Sequence, residues 1–399
     1  MIDILHLALT GLSNLMKLIL FAITAISIIP HNRGLLFGQT SSQLNNGPDV
    51  IDVSKFDDSI RHWMNEPGRR FPYQRFDRSQ FVGIADNLLR LQNLDGGWPK
   101  NVDWLGKLDR DLVFSKLTDL EKSSTCDNRN TYSQIEYLAK VYARTGMEKY
   151  RNGAGKGIEF LLASQNASGG WRGADVDAIT FNDDLMTGIM NLLMDIVKRE
   201  EHFTWVSGTD RMRVRSALDQ AVSVTLKCQI VVDGRKTGWC QQHDHRSLKP
   251  IRARSYELPS ITAMETSGVI EFLLRLENPE PAVVTAIQAA VDWLKRSEIP
   301  GIRLKRLEID SIQELSEAFK RYEVVGVSDQ NAPPIWARYY EIESNRPFFC
   351  NRDGIKVYSL AEVGRERRIG YQWYGYWPQS ILKEKYPQWL KSRTAKLRE

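Results

Sequence analysis

The sequence has few cysteines and no closely spaced pair of them. Its 399 residues include four, and more than ten residues separate each from the next: Cys126, Cys228, Cys240 and Cys350. Zinc ribbons and redox dithiols use cysteines about two to four residues apart. The spacing therefore excludes both classes and leaves either buried thiols or a disulfide.

Long runs of one charge are also missing. The chain has 54 Lys and Arg against 49 Asp and Glu, a net charge of +5 that is spread along its length. Mild basicity favours an acidic partner, such as nucleic acid, anionic lipid or an acidic polysaccharide. Because no nucleic-acid-binding motif accompanies it, we expect no nucleic-acid partner.

The apolar run near the start is shorter than a membrane span. It extends from Leu18 to Pro30, follows Lys17 and precedes the small residue Gly38. A spanning helix needs about 18 to 20 apolar residues, whereas a secretory signal has this layout. We predict a signal over residues 1–39, a secreted or periplasmic protein and no stable membrane span. Apolar residues before Met16 leave an N-terminal anchor as the alternative.

An internal repeat is the main pattern in the remainder. Residues 83–98 read GIADNLLRLQNLDGGW and residues 157–171 read GIEFLLASQNASGGW, with a looser third copy at 221–239. Each copy predicts a helix that ends in Gln, a Gly-bearing turn and a Trp that staples the turn to the next unit. Helical patterns between the copies supply a partner helix for each unit.

These hairpins predict the fold class. A helix with one apolar stripe must bury it against a neighbour, and three hairpins can close into a mainly α, (α/α)3 toroid-like ring. After the segment at 1–39 we predict an N-terminal extension at 40–79, the helical toroid at 80–300 and, at 301–399, an irregular C-terminal region of coils and short strands that completes a cleft.

Polar clusters follow the repeat helices. Lys100 and Asn101 end the first turn, and Asp127 and Asn128 precede a helix, where Asp127 could equally be a plain N-cap. Asp183 and Asp184 also precede a helix. Paired carboxylates there suit Ca²⁺, although they also complement a helix dipole.

Two further clusters follow later in the chain. His243 next to Asp244 permits a general base, although such a loop pair more often serves structure. Arg338 and Arg352 lie among aromatic residues. Arginine binds carboxylates in a bidentate manner and sugar rings stack on aromatic side chains, so this composition suits an acidic glycan. Core aromatics and ordinary ion pairs would have the same composition.

The chain resembles the polysaccharide lyase family 10 pectate lyases. The matching stretches occur in the family's order and cover about residues 80 to 380: GGWPKN, TCDNRNT, ITFNDDLM, GWCQQHD, ARSYELPS, WARYYEI and NRPFFCNRDG. The resemblance implies a toroid with an appended irregular region, a Ca²⁺ requirement and anti β-elimination on α-1,4-linked polygalacturonate. We expect a monomeric enzyme.

The resemblance also implies roles for single residues. Arg254 corresponds to the Brønsted base and Asp127 to a residue that holds the substrate carboxylate. Asp183 or Asp184 corresponds to the calcium ligand, the choice between them staying open. We expect Lys100, Asn128, His243, Asp244, Arg338 and Arg352 to bind substrate. A free arginine is protonated at ordinary pH, so we expect burial near cations to lower the pKa of Arg254.

The sequence departs from the family at three points. Cys126 stands where an aliphatic residue is usual, and Arg129 where a small residue is expected. The loop after Trp171 is short. A non-catalytic pectin-binding protein and an inverting glycoside hydrolase are the alternatives. A terpene cyclase is a further alternative. Asp175-Val-Asp177 resembles the acid motif of those enzymes, but that motif ends in a pair of aspartates and Ala178 stands in place of the last one.

Overall fold

A computed structural model describes residues 50–308 and 322–396. The predicted signal at 1–39 and the start of the predicted extension lie outside these residues. No helix among the described residues is long and apolar enough to cross a membrane.

Helices dominate the described chain. In order they are α1 (Asp57–Asn65), α2 (Phe81–Leu91), α3 (Arg110–Lys116), α4 (Asp119–Lys122), α5 (Tyr132–Thr145), α6 (Glu148–Ser164), α7 (Leu185–Lys198), α8 (Gly208–Cys228), α9 (Ala263–Leu274), α10 (Pro281–Arg296), α11 (Arg365–Gly370) and α12 (Tyr386–Lys396). A π-helical turn, Ile381–Lys385, leads into α12.

The long helices form two layers, as a mainly α toroid requires. Helices α5, α7 and α9 contact one another in sequence, and α2, α6, α8 and α10 form a second contacting series. Hairpin partners α5 and α6, and α7 and α8, pack most extensively. On α7 the buried side chains include Leu185, Ile189 and Leu193 at helical spacing, so the apolar stripe of the sequence is the face that packs.

The repeat motif works as a staple in each copy. The Nε2 group of Gln92 donates to the carbonyls of Gly96 in its own turn and Gly153 in the next helix, at 2.8 and 2.9 Å. Gln165 and Gln229 make the equivalent pairs of bonds. Each glutamine therefore joins one repeat to the next: it supplies a donor to a carbonyl of its own turn and adds a second bond to a carbonyl within the neighbouring helix.

The tryptophans tie each turn back to its own helix. Trp98, Trp171 and Trp239 donate from Nε1 to carbonyls of the preceding helix at 2.7 to 2.8 Å. Trp336 makes the same bond to Leu294 in α10. The described chain thus contains a fourth stapled turn that the threefold repeat did not predict, because an insertion carrying two strands separates Trp336 from its helix.

The helices end within one residue of the predicted glutamines. Helix α2 ends at Leu91 and α6 at Ser164, and the following glutamines are their C-caps. Gly96 lies in the turn beyond, with φ +94°, and a Cβ there would meet the Lys156 carbonyl at 2.3 Å. Glycine is needed for the close approach of two repeats rather than to end the helix.

Short strands connect the turns and the C-terminal region. They are β1 (Ile179–Thr180), β2 (Val231–Val232), β3 (Arg235–Lys236), β4 (Gln242–His243), β5 (Ile261–Thr262), β6 (Ile302–Glu308), β7 (Tyr322–Ser328), β8 (Trp336–Ala337), β9 (Tyr339–Tyr340), β10 (Pro347–Cys350), β11 (Lys356–Val357) and β12 (Tyr374–Gly375). All pair antiparallel, in the orders β1-β4, β2-β3, β6-β7, β8-β12 and β11-β10-β9-β5.

Strand β5 is the link between the ring and the C-terminal region. It immediately precedes α9, and Ile261 pairs with Tyr340 on β9. This pairing places the residues around Arg338 beside the first turn of α9. All four cysteines are buried free thiols, so of the two alternatives the structure shows thiols.

Candidate functional site

Two similar turns form the base of the site. Asp127–Arg129 and Asn182–Asp184 are 3₁₀ turns that contact each other, the first preceding α5 and the second leading into α7. Each ends in two consecutive residues with positive φ: Asn128 and Arg129 at 52° and 62°, Asp183 and Asp184 at 51° and 59°. Asn and Asp tolerate this region better than most residues, which explains part of this polar sequence. Neither Asp127 nor the pair Asp183 and Asp184 acts as a plain helix cap, since no side chain makes a capping hydrogen bond to α5 or α7.

The first turn is anchored by the loop after Trp98. Lys100 Nζ lies 2.8 Å from Asp127 Oδ2, and both side chains are about nine-tenths buried. Asn128 donates to Asn101 Oδ1 at 2.7 Å. The short loop after Trp171 also reaches this turn, because a Cβ on Gly173 would come within 3.4 Å of Asp127 Oδ1. The predicted residues Lys100, Asp127 and Asn128 are therefore together.

The second turn presents two different carboxylates. Asp183 accepts a hydrogen bond from Asn182 Nδ2 at 2.8 Å, and burial raises its pKa to about 7 despite the opposing charge of Arg338. Asp184 is more exposed and pairs with Arg129 at 2.7 Å. Asp183 thus has a carboxylate whose charge is poorly compensated, whereas Asp184 already has a cation.

Arg254 approaches these turns from the loop before β5. Its backbone N–H donates to Glu257 Oε2 at 3.2 Å, and its Nη2 donates to Glu257 Oε1. Burial by itself lowers the pKa of the Arg254 guanidinium, but Glu257 outweighs burial and the net shift is upward. The charged group closest to the guanidinium is thus an anion, Glu257; a pKa lowered by nearby cations stays a prediction.

Arg338 is the most deeply buried of the predicted arginines. Its Nη2 donates to Asn182 Oδ1 at 2.7 Å and to Glu265 Oε1 at 2.8 Å. Its guanidinium also lies over the Tyr371 ring, 4.6 Å from the centroid. Its buried Nε has no hydrogen-bond partner among the described residues. The same holds for Nε of Arg254, so each guanidinium has an unsatisfied donor.

A buried network joins Arg338 to Arg254. Gln241 donates to Asn182 and Glu265 at 2.8 and 2.9 Å, and accepts from Tyr339 at 2.8 Å. The Tyr339 hydroxyl lies 2.5 Å from that of Tyr371, which in turn is 3.5 Å from Glu257. The sequence analysis gave no role to Gln241 and Glu257, which stand in its matching stretches, and did not select Glu265 or Tyr371, since only the fold brings these residues together.

Arg352 belongs to an outer group of cations. It makes a bidentate pair with Glu366 at 2.9 and 3.0 Å and is more than half exposed. Its guanidinium lies 5.8 Å from the centroid of the Tyr256 ring, around which Arg254 and Arg367 also lie, at 5.2 and 4.9 Å. Three guanidinium groups around one ring form a locally positive edge beside the site.

His243 and Asp244 have structural roles in this conformation. His243 is fully buried; the Cys240 N–H donates to its Nε2 at 3.0 Å, and its Nδ1 lies 2.9 Å from the Leu248 carbonyl. Burial lowers its pKa to about 4. Asp244 accepts hydrogen bonds from the backbone of the turn that follows it. The structure therefore does not bring His243 to a ligand, because main-chain groups take both ring nitrogens.

Helix α1 contributes charges that the sequence did not suggest. Asp58 acts electrostatically on Arg129 and Asp183, and α1 contacts the first turn. His62 is within electrostatic range of Lys100 and Asp127, and burial lowers its pKa. The predicted extension at 40–79 therefore borders the site, although no motif in it indicated a function.

The oxygen donors of the two turns fit part of a calcium site. No cluster of three His, Cys, Asp or Glu side chains suited to a metal occurs among the described residues. Asp183 and Asp127 still present hard oxygen ligands, and the poorly compensated Asp183 favours a cation. Calcium takes about six to eight oxygens, so water or ligand carboxylates would have to supply the others.

Comparison with known proteins decides the family. The model of the pectic acid lyase family matches residues 92–382, which is most of the chain. The chain belongs to the pectic acid lyase family. It is a lyase of the polysaccharide lyase family 10 type. The matched residues include both turns, Arg254, Arg338 and Arg352, but not α1.

A solved structure agrees with this pectic acid lyase assignment. The chain is similar to a family 10 polysaccharide lyase from Cellvibrio cellulosa, with a TM-score of 0.63 and 28% identity over 84% of this chain and 97% of that one. A mutant of that lyase in complex with trigalacturonic acid matches equally well. The shared fold confirms the mainly α toroid.

A second relative matches only in part. A terpene cyclase–glycosyl transferase fusion protein from Humicola fuscoatra is 27% identical over 234 residues. The match covers 55% of this pectic acid lyase chain, which spans about 15% of that relative's length.

Proposed function

We propose that the protein is a secreted enzyme that cleaves α-1,4-linked polygalacturonate by calcium-dependent anti β-elimination. The observation that carries the proposal is the convergence of three other chain segments on Asp183. Arg338, Asp127 and Arg254 all act on its charge, so both carboxylates and guanidinium groups lie around it. The Cellvibrio lyase complex with trigalacturonic acid supports an acidic sugar as the ligand.

The reaction requires a neutralised carboxylate and a base. In β-elimination the C5 proton leaves to a base, the C4–O bond breaks and a C4–C5 double bond forms. The C5 proton is acidic only when the adjacent carboxylate charge is compensated. Calcium, held by Asp183 and Asp127 with neighbouring amide oxygens, would supply positive charge there. Lys100 and Arg338 lie at the two sides of these turns and orient the substrate by its anionic groups.

Arg254 is the proposed base, and Glu257 controls its protonation. The Glu257 carboxylate stabilises the protonated guanidinium, so a substrate that weakens this pair would lower the pKa of Arg254. The Arg254 side chain is about 39% exposed, so a substrate can reach its guanidinium. Alkaline conditions would raise the reactive fraction in either case.

Ultraviolet absorbance tests the proposal. Wild type, Arg254→Ala and Arg254→Lys are incubated with polygalacturonate at alkaline pH, with and without a calcium chelator. We expect an absorbance increase from unsaturated 4,5-products that needs calcium and falls by at least about 10²-fold in Arg254→Ala, the usual effect of losing general-base catalysis. Arg352→Ala, which removes an arginine of the outer group, should retain most of the kcat and raise KM.

The outcomes separate the alternative functions. Reducing ends without ultraviolet absorbance would indicate a hydrolase. Calcium-dependent binding of polygalacturonate without bond cleavage would indicate a non-catalytic pectin-binding protein. Either result contradicts the lyase chemistry.

A further inference from the structure

Arg129 and Asp184 join the two turns through equivalent positions. Each is the third residue of its 3₁₀ turn, and each has positive φ, 62° for Arg129 and 59° for Asp184. Their side chains meet at 2.7 Å across 55 residues of sequence. The pair is thus not a local helix-surface contact, and it depends on the packing of one repeat against the next.

The pair between Arg129 and Asp184 reduces the negative charge that the two turns offer to a metal ion. Lys100 already compensates Asp127, and Arg129 compensates Asp184. Among the described residues, Asp183 makes no ion pair. A divalent cation at this turn would therefore lie beside Asp183, which has no ion-pair partner among the described residues, and Asp184, which is paired with the Arg129 guanidinium.

Partial burial of the Arg129 side chain strengthens its competition with a metal ion for Asp184. The Arg129 side chain is 27% exposed and that of Asp184 43%, so neither is freely solvated. Asp58 in α1 also acts on Arg129 and helps to hold it at the turns. A positive group kept within a few ångströms of a cation site repels the cation.

We propose that Arg129 sets the metal affinity of this site: its guanidinium competes with the divalent cation for Asp184, so the chain binds calcium more weakly than it would with an uncharged residue at this position. The inference rests on the proposed function in taking calcium as the cation. It identifies Arg129 as a residue that determines metal affinity and is absent from the roles that sequence resemblance implied.

Calcium binding without substrate tests the competition. Equilibrium dialysis is carried out on the full chain as wild type, Arg129→Asn and Arg129→Lys. Asparagine removes the charge and tolerates positive φ, whereas lysine keeps the charge. We expect Arg129→Asn to bind calcium at least about tenfold more tightly than wild type, since a repulsive unit charge is lost. Arg129→Lys should remain close to wild type.

Two controls isolate the effect. Arg213→Ala removes an arginine that pairs with Glu159 on the surface of the outer layer, so it changes the net charge equally and should leave calcium affinity unchanged. In an Asp184→Asn background, Arg129→Asn should have a smaller effect, because competition for the shared carboxylate is gone and only the direct repulsion of the cation remains. Thermal unfolding confirms that each variant is folded.

Each outcome bears on the proposal independently of catalysis. Tighter binding by Arg129→Asn alone supports it, also when wild type binds too weakly to measure. Equal affinities for wild type and Arg129→Asn, or no binding by any variant, overturn it. Absence of lyase activity with the expected change in binding would instead contradict the proposed function and leave the competition standing.

Discussion

The buried histidine of the site region makes the stability of the protein depend on pH. The Cys240 N–H can only donate and the Leu248 carbonyl can only accept, so His243 must be neutral with its proton on Nδ1. Protonation of Nε2 would break the bond from Cys240 and place an unpaired charge in the core. We expect replacement of His243 by Gln, which does not titrate, to remove this pH dependence.

The size of the effect follows from the two pKa values. His243 has a pKa of about 4 in the folded protein, against about 6.5 in an unfolded chain. Between these values the unfolded state binds more protons, so stability is fully present above about pH 6.5 and is lost as the pH falls towards 4. The difference of about 2.5 between the two pKa values corresponds to about 3.5 kcal/mol at about 1.4 kcal/mol per pKa unit, of which about 3 kcal/mol is lost by pH 4, where His243 is half protonated in the folded protein.

Urea unfolding of both proteins at several pH values measures this difference. The free energy of unfolding of wild type should fall by about 3 kcal/mol more than that of His243→Gln between pH 7 and pH 4. Other carboxylates and histidines contribute equally to both curves and cancel in the subtraction. Parallel curves would refute the assignment of His243 as a buried neutral residue. Loss of substrate affinity with unchanged stability would restore it to the binding site.

Three further predictions concern the staples, the metal ligand and the thiols. Gln229→Ala leaves the Thr237 carbonyl without its donor and removes the bond to Ala286 in α10, so it should lower the free energy of unfolding by about 1 to 3 kcal/mol, with the exposed Gln220→Ala as a control that changes it by less than about 0.5 kcal/mol; equal effects in urea unfolding would contradict the staple. Asp183→Asn keeps the shape of the turn but removes its poorly compensated charge, so equilibrium dialysis should show loss of calcium binding, and unchanged affinity would exclude Asp183 as a ligand. Burial raises the pKa of Cys240 to about 11, so a thiol reagent should label Cys240 and Cys126 only when urea unfolds the chain; rapid labelling of the native protein would show that they are accessible.

Local patterns were enough to predict the helical repeats. The Gln and Trp recur at similar positions in each copy, and the apolar stripes are periodic, so both signals are visible in one sequence. The fourth stapled turn was missed because strands β6 and β7 separate α10 from Trp336. The helix ends agreed with the repeat to within one residue, since the glutamines are the C-caps of α2 and α6.

The site was predictable in its residue types and only partly in its contacts. The resemblance selected Asp127, Asp183, Arg254 and Arg338, which the structure brings together. It also selected His243, whose environment is a closed main-chain pocket. No sequence pattern distinguishes a buried histidine with two backbone partners from one that faces a ligand, because the partners come from residues folded around it.

The sequence by itself determined the repeating helices, their stapled turns and the polar residues that follow them, because helix periodicity and turn chemistry act over a few residues. The tertiary structure decided the charge state of the site. Arg129 meets Asp184 and Glu257 holds Arg254, and the sign of a pKa shift depends on such neighbours and on burial, which are fixed only when distant segments pack together.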